Sequence, residues 1–158
     1  MKTAILLLFA IFSLKTYSQD TVKIRQVDSV VYLINHSNFK IQRDTIKNEM
    51  PNMGISSRNY LTMVSDSNEI KKYVNSFHMT TQNNGITKKM DGENAFYFDH
   101  NKLIKVEEFV VDSDKKAEVQ WYYADEKPIY NTLPPGKAGD RAEFLLKLSK
   151  TMLGKLKP

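Results

Sequence analysis

The chain has 158 residues, of which 41% are hydrophobic and 26% are charged, and it contains six glycines and no cysteine. The absence of cysteine excludes disulfides, thiol catalysis, Cys-ligated metal sites and a lipid-modified cysteine in this chain. The formal net charge is +5, and the basic residues are scattered among acids and turn residues, which argues against a nucleic-acid partner.

The first 18 residues predict a secretory signal peptide. Lys2 precedes an apolar stretch, Ala4–Leu14, and small residues at Thr16 and Ser18 suit a cleavage site. The apolar stretch is too short for a transmembrane helix, which needs about 20 residues. We therefore expect cleavage after Ser18, export to the periplasm or the outside of the cell, and one α+β domain over residues 19–158.

Residues 21–36 have the periodicity of an amphipathic helix that Asp20 or Thr21 can cap. The apolar positions are Ile24, Val27, Val30, Val31 and Ile34. Residues 39–46 alternate in part between apolar and polar side chains and predict a short edge strand. Met50–Gly54 has the composition of a loop.

Three later segments have the pattern of β-hairpins, in which an apolar or aromatic run, a polar turn and a second run follow one another. They are residues 60–74, 95–109 and 119–130. Ala117–Tyr123 alternates most clearly, which indicates that one face of its strand is buried. We therefore expect an antiparallel meander of about five or six strands between Tyr60 and Tyr130.

The second hairpin allows two registers. A two-residue turn pairs Phe98 with Leu103, whereas a three-residue turn pairs Phe96 with Ile104, and the two place different residues inside. Pro128 cannot donate a backbone hydrogen bond, so the last strand is predicted to lie at an edge or to be very short.

The C-terminal residues predict a second amphipathic helix that begins near Asp140. Asp140 and Glu143 have the spacing of a capping box. A leucine-rich stripe follows on one side of the helix, with lysines on the other. We expect the stripe to dock on the sheet; as the alternative, a basic amphipathic helix can lie on an anionic membrane surface.

No residue pattern indicates a catalytic or metal site. The chain has three histidines, His36, His78 and His100, and no two have metal-ligand spacing. Glu107 and Glu108 are adjacent on a predicted strand and therefore point to opposite faces. Asp112–Asp114 lacks the glycine and glutamate of an EF-hand loop. We predict no metal, no cofactor and no enzymatic activity, with a hydrolase of dispersed active-site residues as an alternative.

Two aromatic clusters, Phe96–Phe98 and Trp121–Tyr123, indicate either core packing or a binding surface. Because neighbours on a strand alternate between faces, Tyr97 and Tyr122 point away from their companions. With Tyr130, they could line a face that binds a protein, a peptide, a glycan or a small hydrophobic ligand.

The leading functional hypothesis is therefore an exported, non-catalytic binding protein. An envelope-associated structural protein, held at an anionic surface by the basic C-terminal helix, is the alternative from another class.

The helical segment Ile24–Asn35 and the hairpin Tyr97–Lys105 resemble parts of small exported bacterial domains of unknown function. The hairpins are also similar to variant MORN repeats, which combine an aromatic residue, a turn and a Lys-Leu pair, although the closing glycine is missing here. The predicted arrangement of elements resembles cystatin-like or PepSY-like domains. These resemblances imply an α+β fold and transfer no functional residue.

Overall fold

The computed structural model describes residues 20–83, 85–112 and 115–156. In these ranges the chain forms a seven-stranded antiparallel sheet with one helix against each face. The predicted α+β meander with an N-terminal and a C-terminal helix is confirmed, whereas the predicted count of five or six strands is wrong. The predicted signal peptide lies outside the described residues.

The sheet is a meander in which each strand pairs with the next one along the chain. Helix α1 covers residues 20–36, and a short 3-10 helix covers Pro51–Met53. The strands are β1 (Lys40–Met50), β2 (Ile55–Asp66), β3 (Glu69–Asn83), β4 (Ile86–Asp99), β5 (Lys102–Asp112), β6 (Lys115–Ala124) and β7 (Lys127–Asn131). Helix α2 covers Arg141–Lys155.

The strand missing from the predicted count is β1. It is an edge strand, as residues 39–46 predict, but it is 11 residues long and pairs with β2 from Lys40 to Met50. The predicted loop is reduced to the 3-10 turn because Gly54 adopts a left-handed conformation with φ 63°. The backbone carbonyl of Gly54 also accepts a hydrogen bond from the Gln82 amide at 2.7 Å, which fixes the turn against β3.

The second hairpin adopts the register that pairs Phe98 with Leu103. Its two turn residues, His100 and Asn101, have φ values of 49° and 58°, and a tight two-residue turn of this hand requires positive φ at both positions. Pro128 lies in the five-residue edge strand β7, as predicted.

Each face of the sheet carries a hydrophobic core beneath one helix. On the α2 face the buried residues are Met63, Ile70, Phe96, Phe98, Leu103, Val106, Trp121, Tyr123, Leu145 and Leu146. On the α1 face they are Val27, Val31, Ile34, Ala95, Tyr97 and Tyr122. Strand β6 therefore sends Trp121 to one core and Tyr122 to the other, so both of its faces are buried at this end.

Helix α2 docks on the sheet through its leucine stripe, as predicted, but the predicted capping box does not form. The side chain of Asp140 makes no capping hydrogen bond. The start of α2 is held instead by an ion pair between Arg141 and Glu108 of β5. The Tyr123 hydroxyl also donates a hydrogen bond to the Ala142 carbonyl at 3.0 Å. Contacts with the sheet therefore take over the role that a local cap was expected to play.

Candidate functional site

The three tyrosines predicted to line a binding surface lie in one row across the α1 face. Lys105 lies between Tyr97 and Tyr122 in this row, and Tyr130 follows Tyr122. Tyr97 and Tyr122 are only 2% and 5% exposed beneath α1, whereas Tyr130 is 47% exposed. Ligand binding at these residues stays a prediction, and for Tyr97 and Tyr122 it requires that α1 moves away from the sheet.

A partly buried polar network surrounds the two covered tyrosines and joins α1 to the sheet. Lys105 Nζ lies 3.0 Å from Asp28 Oδ1 of α1 and 3.0 Å from Glu107 Oε1. The Tyr122 hydroxyl lies 3.0 Å from the same Asp28 oxygen, and the Tyr97 hydroxyl donates to Glu107 Oε2 at 3.0 Å. Both hydroxyls already bond to carboxylates. Core packing together with these hydrogen bonds therefore explains why the two tyrosines are buried.

The pKa values of Lys105 and Tyr97 both lie above their usual ranges. Burial alone would lower the pKa of Lys105, but hydrogen bonds with Tyr122, Asp28 and Glu107 outweigh burial and raise this pKa above its usual range. Burial also raises the pKa of Tyr97 to about 12. Both side chains therefore keep their protons to a higher pH in the folded protein than in the unfolded chain.

We expect the protein to lose stability above about pH 10, where unfolded tyrosine and lysine side chains begin to release their protons. In this range the folded state holds more protons than the unfolded state, so the free energy of unfolding falls as pH rises. The contribution of Tyr97 is complete below about pH 10 and is lost as pH rises through its folded pKa of about 12. Urea unfolding followed by circular dichroism across this range measures the fall.

Tyr97→Phe and Tyr130→Phe are the matched variants for this experiment. The first removes a buried hydroxyl and should make the alkaline fall shallower, whereas the second removes an exposed one and should leave it unchanged. Identical pH profiles for Tyr97→Phe and the unaltered protein would contradict the assignment.

The alternative of a hydrolase with dispersed active-site residues can be tested on His78 and Glu108, which lie on opposite faces of the sheet. On the α1 face, His78 Nδ1 lies 2.7 Å from Asp91 Oδ1, and both side chains are exposed. On the α2 face, Glu108 accepts a hydrogen bond from Trp121 Nε1 at 2.7 Å and pairs with Arg141. Side chains on opposite faces cannot reach one reacting bond, so this pair does not assemble an acid–base site.

The side chains that could bind a metal are scattered over the structure. Within residues 20–83, 85–112 and 115–156, no group of three or more His, Asp or Glu side chains is arranged to hold a metal ion. Of the Asp112–Asp114 turn, the structure describes only Asp112. The absence of metal and cofactor stays a prediction.

Helix α2, on which the envelope hypothesis depends, has its leucine stripe in the core. Leu145 and Leu146 are buried, and Lys150 pairs with Glu126 at 2.9 Å. On the outer side, Phe144 is exposed and the Arg141 guanidinium lies 5.0 Å from the centre of its ring. Among the described helices, none is both long enough and apolar enough to cross a membrane. Contact between α2 and an anionic surface stays a hypothesis.

The two helices cover only one half of the sheet. Helix α2 has 15 residues and is about 22 Å long, whereas β3 has 15 residues and is about 50 Å long. Neither hydrophobic core contains a described residue from 45–61, 75–94 or 109–118. We refer to the described residues of these three ranges as the open half. It is a single layer of sheet with both faces accessible.

On the α2 face, the open half carries a cluster of apolar side chains among polar ones such as Asn59, Thr81 and Lys88. Phe77 lies over its cross-strand partner Gly92, where a Cβ atom would be 2.5 Å from the ring. By strand register, Met79 and Met90 pair beside it on the same face. Together with their neighbours these residues form what we call the apolar patch: Ile46, Met50, Met53, Ile55, Phe77, Met79, Ile86, Met90 and Val110.

The apolar patch is accessible to a partner. Met53 is 68% exposed and Ile86 is 64% exposed, and both line a hollow of about 550 Å³. The rest of its lining is Ile55 and the polar residues Thr81, Gln82, Asn83 and Lys88. A cluster of exposed apolar side chains marks an interaction site more commonly than an isolated exposed residue does. The patch is therefore the strongest candidate for a binding surface among the described residues.

The apolar patch was missed by the sequence analysis because residues 75–94 fell between two predicted hairpins. A usable signal is present there. Phe77 and Met79 alternate with the polar residues Ser76, His78 and Thr80, which is the period of a strand. Extending the first hairpin along this alternation would have placed Phe77 and Met79 on the face of Tyr73.

Comparison of the chain with models of known protein families, with curated proteins and with solved structures finds no match. The function must therefore be argued from the residues themselves. The resemblances to exported bacterial domains, MORN repeats and PepSY-like domains stay predictions.

Proposed function

We propose that the protein is an exported, non-catalytic binding protein that docks a partner protein on the apolar patch. The observation that carries this proposal is the open half, where Phe77, Met79 and Met90 line a sheet face that neither helix covers. Burying apolar surface stabilises by about 25 cal/mol per Å². A partner that covers the patch would bury this apolar surface, as a third helix or a second sheet of the same chain would, and the burial would stabilise the complex.

The size and shape of the surface favour a protein over a small molecule. Six strands about 4.8 Å apart, with about seven residues each in the open half, give one face roughly 700 Å². One partner contributes about 800 Å² to a standard protein–protein interface. Small-molecule sites instead enclose most of their ligand, and the hollow beside Met53 and Ile86 is shallow and open.

The side chains of the patch suit an interface that adapts to its partner. Four of the seven methionines belong to it: Met50, Met53, Met79 and Met90. Methionine is unbranched and polarizable, so it repacks against surfaces of different shape. Phe77 supplies a rigid aromatic anchor near the centre, of the kind that carries much of the binding energy in protein interfaces.

Photo-crosslinking at adjacent positions of β3 tests the proposal. A photoreactive amino acid is placed at Met79, on the apolar patch, or at Thr80, on the opposite face of the same strand, in the full chain expressed in its native cells. We expect the Met79 position to give a covalent adduct with another protein, severalfold stronger than the Thr80 position.

Three outcomes would count against this function. They are equal labelling at the two positions, no protein adduct at either position, and an adduct at Met79 with the mass of two copies of this chain. The last outcome would assign the patch to self-association. Circular dichroism of both photoreactive variants controls for folding. Both positions lie on β3, and replacing a side chain there leaves the backbone hydrogen bonds of the strand in place.

A further inference from the structure

Three basic side chains stand side by side across the α1 face of the open half. The strand register pairs Lys47 of β1 with Arg58 of β2, and Arg58 with His78 of β3. We call these three residues the basic row. Directly paired side chains on neighbouring strands have Cβ atoms about 4.5–5.5 Å apart, and like charges at this spacing destabilise the sheet.

Among the described residues, the two permanent cations of the basic row, Lys47 and Arg58, form no ion pair with the carboxylates around them. Asp91, which follows His78 in the row, binds His78 Nδ1 at 2.7 Å. Among the described residues, no carboxylate lies within ion-pair distance of Lys47 or Arg58. Glu49 lies in the neighbouring row, opposite Ser56. The sheet thus keeps two neighbouring cations uncompensated.

The basic row borders a hollow that can hold a small anion. The hollow has a volume of about 290 Å³, and its lining includes the three basic side chains, Glu49 and the hydroxyl residues Ser56 and Thr80. The Tyr60 ring packs edge-on against His78 at 5.7 Å, and the Tyr60 hydroxyl lies 3.5 Å from Arg58 Nη1. Donors therefore surround the hollow on three strands.

We propose that the basic row is a binding site for a phosphate or sulfate group. A tetrahedral oxyanion offers several acceptor oxygens, which suits the planar fork of Arg58, the ammonium of Lys47 and the hydroxyls of Ser56 and Thr80. When protonated, His78 donates Nδ1–H to Asp91 and has Nε2–H left as a donor for the same anion. The anion would remove the like-charge repulsion along the row.

This site lies on the face opposite the apolar patch and does not depend on the proposed partner. The phosphate group can be free or can belong to a lipid or polymer of the cell envelope, since the chemistry of recognition is the same. A free phosphate is in solution, whereas a phosphate of a lipid or polymer is held at a surface, so one soluble probe and one surface probe distinguish the two sources.

The test uses two probes with the purified protein. Inorganic phosphate is titrated while amide chemical shifts are followed by NMR, and vesicles of phosphatidylglycerol in phosphatidylcholine are tested in a sedimentation assay at low salt. We expect phosphate to bind with a Kd below about 1 mM and to shift the amides near the basic row. Binding only to vesicles would place the recognised group on a membrane surface and also supports the site.

Matched charge variants locate the binding. Arg58→Gln and Lys47→Gln should each weaken binding about tenfold, which is a typical effect of losing one charge-assisted contact. Lys88→Gln removes an exposed cation from β4 on the opposite face and should leave the Kd unchanged within about twofold. At the same concentration, phosphate should also raise the Tm of the unaltered protein more than that of Arg58→Gln.

The proposal is overturned if neither probe binds, or if Lys88→Gln weakens binding as much as Arg58→Gln, since the latter result would mean general attraction to a basic protein. Loss of folding does not mask the result. Removing one of two adjacent cations should leave the Tm of the free protein equal or higher, because it relieves repulsion on an exposed strand face.

Discussion

Trp121→Ala is expected to lower the free energy of unfolding by about 3–5 kcal/mol, the range for removing a large aromatic side chain from a core. Trp121 is 2% exposed and packs in the core beneath α2. Its indole nitrogen also donates to Glu108, the residue that holds Arg141 at the start of the helix. The change therefore removes packing and one connection between the sheet and α2.

Urea unfolding followed by far-ultraviolet circular dichroism measures this effect, because Trp121 is the only tryptophan and its removal abolishes the fluorescence signal. Trp121→Phe is the matched control. It keeps an aromatic ring but loses the hydrogen bond to Glu108, so we expect a smaller loss of about 1–2 kcal/mol. A loss below about 1 kcal/mol for Trp121→Ala would mean that α2 does not seal this core.

Lys105→Met is expected to cost about 3 kcal/mol of stability. It keeps the apolar stem of the side chain but removes the ammonium group that pairs with the carboxylates of Asp28 and Glu107. Breaking a buried ion pair by removing one partner typically costs about 3–5 kcal/mol. We expect the lower end of this range because the carboxylates are 47% and 34% exposed and water can compensate them in part.

A double-mutant cycle separates the ion pair from general packing. Combining Lys105→Met with Asp28→Asn should give a coupling energy of about 1–2 kcal/mol, since the two groups are in contact in one network. The pair Lys23–Asp125 joins the same helix to the sheet at 3.4 Å but is largely exposed, with side-chain exposures of 43% and 85%. Its coupling energy should be below about 0.5 kcal/mol. Equal coupling in the two cycles would contradict the importance of the buried network.

The elements that the sequence predicted best are those with a strong local pattern. Helix α1 carries apolar residues at helical spacing, and Asp99–Lys102 is a polar segment between two apolar runs, which located the second hairpin but not its register. Pro128 limited β7 to an edge through its missing amide. In each case a few neighbouring residues determine the local backbone, so tertiary context was not required.

The open half was harder to predict because its residues have mixed signals. Strand β1 contains Arg43, Asp44 and Lys47 among few apolar side chains, and all 11 of its residues are exposed. Such a strand forms through pairing with β2 and gains little from burial, so hydrophobic periodicity detects it poorly. The basic row could not be predicted either, because its members lie on three strands and become neighbours only through the strand register.

The sequence left open whether Tyr97 and Tyr122 are packed in a core or line a binding surface, because their burial depends on where α1 docks. The sequence indicated that the two rings point away from the α2 core, and the register places both on the α1 face. Helix α1 covers these two positions, whereas no helix covers Phe77 on the other face. This difference follows from the length of each helix and from where it docks. Neither quantity is encoded in the alternation of a single strand.

The chain-order pairing of the strands has a consequence for the sequence of folding events. Each hairpin can zip up from its own turn, so the sheet can assemble by local steps that cost little loop-closure entropy. Helix α1 cannot join early, because the partners of Asp28 are Lys105 and Tyr122, which follow it by 77 and 94 residues. During synthesis the first helix therefore emerges long before the strands on which it docks, and its apolar residues Val27, Val31 and Ile34 stay in contact with water or a chaperone until then.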